Sequence, residues 1–328
     1  MGNFNLEEVH DTMVSVALEA GKMILASKPN DIGFGTKASL VDIVTETDKA
    51  VEAAVASRLS AAYPSFRFMG EETYKPGDIL SPDPTFVIDP IDGTTNFVHG
   101  FPGACISAGL AINRMPAVGV VFNPYEDVLF SAIQGRGAWM VRHAQMCPPS
   151  EVSSNESGKS PSTTNMALWG THEGNPHAYK LPLSTNVPAL GQLSTAMVAI
   201  EWGSDRAGAN FELKLRAFER LSRRKEEGGA MAQGIRSLGS AALNLCKVAA
   251  GQVDVYWEGG CWAWDVCAGW CVLSEAGGLM ASGNPGEEAD LEARVYLAVR
   301  AAGGGIEEQR RIVSEFWEVI GKGNRLTY

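Results

Sequence analysis

The sequence predicts an α+β protein, on three observations. Between Ala104 and Trp139, apolar runs alternate with turns too short for a crossover, so neighbouring strands there should pair antiparallel. Helical periodicity opens and closes the chain, after Asn5 and from Ile306 to Ile320. Between these, short apolar runs lead into a turn and a helix start, and a carboxylate stands at several of those junctions.

Taken in order, Asn5 reads as an N-cap, followed by Leu6, Val9, Met13, Val16, Ala20 and Ile24 at helical spacing, with an end near Lys28-Pro29. Gly33 to Ser39 is expected to be a loop carrying Lys37. Val41 to Asp48 alternates before a second helical pattern through Val51, Val55 and Leu59, which puts Asp48 at a helix start, where a plain cap would also account for it. Phe66 to Met69 is strand-like and runs into Gly70-Glu71-Glu72, a pair that a solvated loop would equally explain. Phe86-Val87-Ile88 suits a buried strand. Pro90 lacks an N–H and restricts Asp89 to extended geometry, so strand pairing should stop there. Gly93 permits a sharp bend, and Thr94 and Thr95 are expected N-caps of the next helix.

The meander is expected at Ala104–Ile112, Ala117–Phe122 and Val128–Ile133. Residues 142–195 turn Ser- and Pro-rich and read as a surface excursion, in which His172 and His177 are ordinary loop histidines. A charged helical stretch from about Asn210 to Glu227 carries Arg216, Arg220, Arg223 and Arg224 and suits a solvated face or a subunit contact. A short strand at Gly234 leads through small residues to a helix from about Ser240. Val253 to Glu258 is a strand. Asp265 then precedes a helix over Val266–Ala276, where it could be a simple cap, and Ala268-Gly269 allows close packing. A strand over Leu291–Ala302 and the final helix complete the chain.

The 328 residues, 45% hydrophobic, are enough for a large core and exclude wholesale disorder. No apolar run reaches the roughly 20 residues of a membrane span, and Met1-Gly2-Asn3-Phe4 lacks signal-peptide character, so the expectation is a soluble cytoplasmic protein without a membrane partner. A net charge of −11 disfavours nucleic-acid binding. The six cysteines form no C-x-x-C pair and should be reduced and buried.

Glu71, Asp89, Asp92 and Asp265, with Asp48, thus gather at strand ends and helix starts. Close carboxylates repel unless a proton or cation lies between them, while a helix start attracts an anion, and hard oxygen ligands suit Mg²⁺ or Mn²⁺. The combination suggests metal-assisted chemistry at phosphorus.

Gly70-Glu71-Glu72, Asp89-Pro90-Ile91-Asp92-Gly93-Thr94-Thr95-Asn96-Phe97 and Trp264-Asp265-Val266-Cys267-Ala268-Gly269, followed by Glu275-Ala276-Gly277-Gly278, resemble the signatures of the inositol monophosphatase family. The resemblance implies the layered αβαβα sandwich of the inositol monophosphatase and fructose-1,6-bisphosphatase superfamily. It implies one catalytic domain over 1–328, with halves 1–141 and 196–328 around the excursion, assembled as a homodimer. It further implies two or three Mg²⁺ ions, one held by Glu71, Asp89 and the Ile91 carbonyl, one by Asp89, Asp92 and Asp265, and a weaker one near Glu71. Thr94 with Asp48 would position or deprotonate the attacking water, and the backbone of Gly93 to Thr95 would hold the phosphate. Lys37 and Asp42 match positions of supporting role. Glu258 and the Ala241 backbone, together with Asp92 and Asp265, would contact a polyhydroxylated ring phosphate, although the run Gly259-Gly260-Cys261-Trp262-Ala263-Trp264 is unusually aromatic beside such a pocket.

The implied activity is Mg²⁺-dependent, Li⁺-sensitive hydrolysis of inositol monophosphates. The long 142–195 excursion also resembles family members of fungal quinate-utilisation clusters. Alternatives are phosphatase action on another small ester, such as a sugar phosphate, histidinol phosphate or quinate-pathway metabolite, a 3′-phosphonucleotide phosphatase, or a non-catalytic regulator that keeps the fold.

Overall fold

The computed structural model describes residues 4–27, 34–36, 43–145 and 175–328. Two helices begin the described chain. In α1 (Leu6–Ala26) the Asn5 side chain accepts from the Glu7 N–H, and the face from Val9 to Ile24 is buried. In α2 (Glu46–Ala62), Thr45 is the N-cap and Asp48 completes a capping box. Between them, β1 (Phe34–Thr36) and β2 (Ile43–Thr45) pair antiparallel, so part of the expected 33–39 loop is strand.

Seven strands form the first sheet: β3 (Arg67–Gly70), β4 (Thr85–Asp92), β5 (Cys105–Ile112), β6 (Met115–Asn123), β7 (Val128–Ile133), β8 (Gly137–Arg142) and β9 (Ala178–Lys180), adjacent in that order. The expected meander is present and antiparallel, while the β3–β4 pair is parallel. Pairing of β4 does not end at Pro90. It shifts register between Asp89, opposite Ser107, and Asp92, opposite Cys105, because the proline removes one donor without ending the extended chain. Part of the expected excursion also belongs to the fold, since β9 closes the sheet edge and Leu181, Leu190 and Leu193 are buried. Its Ser-rich centre lies outside the described residues.

The second sheet has the order β11 (Gly234–Arg236), β10 (Met197–Ile200), β12 (Val255–Gly259), β14 (Val295–Val299), β13 (Leu279–Ser282). Sequence periodicity misses β10 and β13, each four residues long. It also overextends β14, whose flanks Leu291–Arg294 and Arg300–Ala302 lie outside the strand.

Five layers result. One apolar cluster packs α1 and α2 on the outer face of the first sheet. A second holds α5 (Ala241–Ala249) and α6 (Ala263–Glu275) between the two sheets. A third packs α4 (Gly208–Ser222) and α7 (Ile306–Ile320) outside the second sheet. This is the αβαβα order. Close approach of the central layer needs glycine: a Cβ on Gly119 of β6 would lie 2.3 Å from the Ala268 carbonyl oxygen. On the other side of α6, a Cβ on Gly269 would lie 2.7 Å from Leu245 Cβ. The cysteines among the described residues are reduced and buried. Among those residues no helix is long and apolar enough to cross a membrane.

Candidate active site

Side-chain alternation aims the chemistry at the central layer. Val87 belongs to the cluster between the sheets and Phe86 and Ile88 to the outer one, so Asp89, two residues past Val87, faces α5 and α6. In the second sheet Tyr256 faces inward and Trp257 outward, which turns Glu258 inward as well. Asp265 comes from the first turn of α6, and Glu71 follows β3, its N–H donating to the Ile88 carbonyl at 3.1 Å. Glu71, Asp89, Ile91, Asp92, Gly93 to Asn96, Ala241, Glu258 and Asp265 line one cavity of about 380 Å³.

Each carboxylate is held by the local chain. Asp89 Oδ1 accepts from the Ile91 N–H at 2.9 Å. Asp92 Oδ2 accepts from Ser240 Oγ at 2.6 Å and the Ala242 N–H at 2.7 Å, and its Oδ1 accepts from the Ala241 N–H at 3.3 Å. The Ala241 backbone expected to contact substrate therefore has its N–H engaged by Asp92, which lies at the open end of α5. Asp265 is not the N-cap of α6 but its third residue, accepting from the Trp262 N–H at 2.7 Å.

Thr94 and Thr95 are not N-caps either. Gly93 holds that position at φ 87°, and a Cβ there would lie 2.8 Å from the Gly103 carbonyl oxygen and 3.0 Å from that of Gly239. Thr94 instead starts α3 (Thr94–His99), and its hydroxyl donates to the Ile91 carbonyl at 3.0 Å, with Asp48 Oδ1 at 3.4 Å. Asp48 Oδ2 accepts from both the N–H and the hydroxyl of Thr45. One carboxylate oxygen of Asp48 thus serves the capping box of α2, and the other lies at hydrogen-bond distance from Thr94.

Burial dominates the electrostatics. It pushes Asp89 well above the usual carboxylate range, reinforced by the charges of Glu71, Asp92 and Asp265. Asp265 is raised in the same way, by burial and then by Asp92 and Glu71. Asp92 reaches about 6, its bonds to Ser240, Ala242 and Ala241 offsetting part of the cost of burial. Asp48 is likewise raised to about 6, burial outweighing its bonds to Thr45. Burial, with Glu201 nearby, lifts Glu258 to about 8, while the Tyr256 hydroxyl bonded to it pulls the other way.

Among the described residues, no three Asp, Glu, His or Cys side chains already stand close enough together to hold an ion. The donor set fits one all the same. It is entirely oxygen, as Mg²⁺ requires, and its buried carboxylates crowd one another in a way that only protons or a cation relieve. Lys37, Asp42 and His172 lie outside the described residues. His177 pairs ring to ring with His143, centroids 5.4 Å apart, and is not among the residues lining the cavity.

Sequence reasoning missed Glu201, Trp202, Arg206 and Ser240, which also line the cavity. Glu201 Oε1 accepts from the Leu238 N–H at 2.6 Å, the Gly239 N–H at 3.0 Å and Asn244 Nδ2 at 2.8 Å, while its Oε2 accepts from Ser237 Oγ at 2.5 Å. The run Gly239-Ser240-Ala241-Ala242 did carry a signal, small residues before a helix, whereas Glu201 follows a strand too short to show in periodicity.

A model of the inositol monophosphatase family matches residues 5–320. The chain belongs to that family. It is 41% identical over 321 residues to Inositol monophosphatase 2 of Saccharomyces cerevisiae, covering 95% of this chain and 94% of that one. It is 35% identical over 341 residues to Protein qutG of Emericella nidulans, covering 96% and 94%. Among solved structures it is similar to the extragenic suppressor protein suhB from Bartonella henselae, with a TM-score of 0.71 and 25% identity over 96% of this chain and 99% of that one. It is also similar to the inositol monophosphatase from Anabaena, with a TM-score of 0.68 and 26% identity over 96% and 97% of the two chains. This member of the inositol monophosphatase family is a phosphatase.

Proposed function

We propose that the protein hydrolyses inositol monophosphates to inositol and phosphate in a Mg²⁺-dependent reaction. The observation that carries this reading is the single cavity lined by Glu71, Asp89, Asp92 and Asp265 together with Glu258. Glu71, Asp89 and the Ile91 carbonyl would hold one Mg²⁺, Asp89, Asp92 and Asp265 a second, and a weaker third would lie near Glu71. When bound, the ions supply positive charge for the attacking and leaving oxygens and offset that of the acidic site.

The chain's own residues do the rest. N–H groups in the first turn of a helix have no partner within it, so the backbone at Gly93 to Thr95 is suited to phosphate oxygens. The Thr94 hydroxyl lies between the Ile91 carbonyl and Asp48, where it can orient a water and pass its proton to the carboxylate. With a pKa near 6, Asp48 is ionised yet basic enough to accept that proton at neutral pH. Glu258 lines the same cavity and can bond a ring hydroxyl. Lys37 and Asp42 are assigned supporting roles.

Phosphate release from inositol monophosphates, sugar phosphates, histidinol phosphate and 3′-phosphonucleotides, with Mg²⁺ present, absent or opposed by Li⁺, tests the reading. Fast, Mg²⁺-dependent, Li⁺-sensitive turnover of inositol monophosphate is expected, abolished in folded Asp89→Asn and Asp265→Asn proteins. Preference for another ester would move the substrate and leave the chemistry standing. No turnover by Mg²⁺-bound protein would leave a binding or regulatory role. We also propose one catalytic domain that forms a homodimer, supported by Leu215 and Phe218, exposed three residues apart on α4, beside exposed Trp202. A monomer in light scattering would refute the dimer.

A further inference from the structure

The aromatic run beside the cavity does not serve the pocket directly. Trp262 and Trp264 are not among the lining residues. Their rings stack on each other at 5.2 Å, and both lie against Tyr74, at 5.0 and 5.1 Å, three residues beyond Glu71. On its other side Trp262 is covered by the Arg294 guanidinium, 3.4 Å from the ring centroid.

Arg294 is tied to this wall three times. Its Nη2 donates to the Gly260 carbonyl at 2.8 Å and its Nε to the Cys261 carbonyl at 2.7 Å. Its own carbonyl accepts from the Gly260 N–H at 2.8 Å. The residue has a φ of 63°, a left-handed conformation that residues with side chains seldom adopt and that persists where the surroundings over-determine it. The Tyr328 ring lies 5.5 Å from the guanidinium and packs where Cβ atoms on Gly259 and Gly260 would stand, 2.9 and 3.3 Å away.

Tyr328 is itself anchored. Asn284 donates to the Leu326 carbonyl and accepts from its N–H, both at 2.9 Å, and Asn210 pairs in the same way with Thr327 at 2.8 and 3.0 Å. The segment between Glu258 and Asp265 is therefore held by Arg294, whose guanidinium lies against both the Trp262 and Tyr328 rings, while Lys214 Nζ donates to the Gly259 carbonyl at 2.8 Å beside the same Tyr328 ring.

We propose that Arg294, seated against Trp262 and Tyr328, is a positioning residue for the cavity wall from Glu258 to Asp265, and that this clamp sets the affinity for the alcohol portion of the substrate. The inference rests on the proposed substrate. Lysine in place of Arg294 keeps the charge but not the planar fork that serves two carbonyls and a ring face.

The test compares wild-type protein with Arg294→Lys and Tyr328→Leu at saturating Mg²⁺. The expected result for Arg294→Lys is a KM for inositol monophosphate raised about tenfold, the loss of about one charge-assisted bond, with kcat within about twofold. Inhibition by inorganic phosphate, which on the proposed function is held by the ions and the Gly93 to Thr95 backbone and not by the alcohol contacts, should not change at saturating Mg²⁺. Tyr328→Leu, a half-exposed position that should fold in any case, is expected to raise KM about threefold, since it removes one ring from the stack. An unchanged KM in both folded variants would overturn the proposal, as would a matching loss of phosphate inhibition. If wild type turns over a different ester best, the same comparison is made on that ester, so an error of substrate and an error about the clamp give different results.

Discussion

Ser240 donates to Asp92 at 2.6 Å across 148 residues of chain, joining the end of a strand in the first sheet to the start of a helix between the sheets. The same Ser240 oxygen accepts from the Leu243 N–H at 3.1 Å and so caps α5. One hydroxyl thus serves helix stability and carboxylate position together. Ser240→Ala removes an N-cap and a bond to a buried carboxylate, and a destabilisation of about 2–3 kcal/mol is expected. Urea denaturation measures it, and the Mg²⁺ concentration for half-maximal activity should rise in the same variant.

Asp48 and Asp92 have pKa values raised from the usual 3.8 to about 6. Folding thus makes each bind its proton more tightly. The metal-free protein should lose stability as pH rises from about 4 through about 6, because the unfolded chain then binds fewer protons than the folded one. Mg²⁺ at about a hundred times its Kd should restore about 2.7 kcal/mol, and its stabilising effect should grow over the same interval as protons leave the site. Thermal melts with and without Mg²⁺ at pH 5 and 7.5 check this. A shift equal at both pH values, or larger at pH 5, would contradict it.

Activity has the opposite slope to that stability if Asp48 takes the proton as proposed. Its carboxylate must be ionised to take a proton, so kcat should fall as pH drops through about 6. Replacing it as Asp48→Asn should flatten this limb and lower kcat by about a hundredfold, within the range of a lost general base. A pH profile of kcat at saturating Mg²⁺ reads both effects.

The residues legible in the sequence are those whose role is decided nearby. Asp89 and Asp92 follow an apolar run and precede a glycine bend, and Asp265 sits in the first turn of a helix, so strand period and helix start suffice to place them. Glu201, Ser240 and Arg294 act on partners far along the chain, and no local pattern announces such pairings. The same difference explains the fold. The meander and long helices show their periods, whereas β10 and β13 are too short to show one, and β9 is recruited by an edge that only the folded sheet presents.

Glu52 illustrates that long-range layer beside the proposed metal ligands. It is 1% exposed on α2, and its Oε2 accepts from the Glu72 N–H at 2.8 Å, fixing the segment that carries Glu71. Burial raises its pKa, its bond to Glu72 acting against the rise. Glu52→Ala should free this segment and weaken Mg²⁺ activation about tenfold, the equivalent of about 1.4 kcal/mol. Glu52→Gln, which keeps an acceptor for Glu72, should stay within about threefold of wild type. Mg²⁺ titration of activity distinguishes them, and equal effects of the two substitutions would count against a positioning role.

The central layer tolerates no side chain where β6 meets α6. A Cβ at Gly119 would lie 2.3 Å from the Ala268 carbonyl oxygen and 2.9 Å from Cys271 Cβ. The first of these is backbone and cannot swing aside, so Gly119→Ala must push the helix from the sheet. Overpacking of this kind costs about 1–3 kcal/mol. Asp265 sits one turn before Ala268 on the same helix, so the displacement should reach the site as well as the core. A lower urea midpoint together with weaker Mg²⁺ activation is expected. A lower midpoint with unaltered Mg²⁺ dependence would show that α6 yields at Ala268 without moving Asp265.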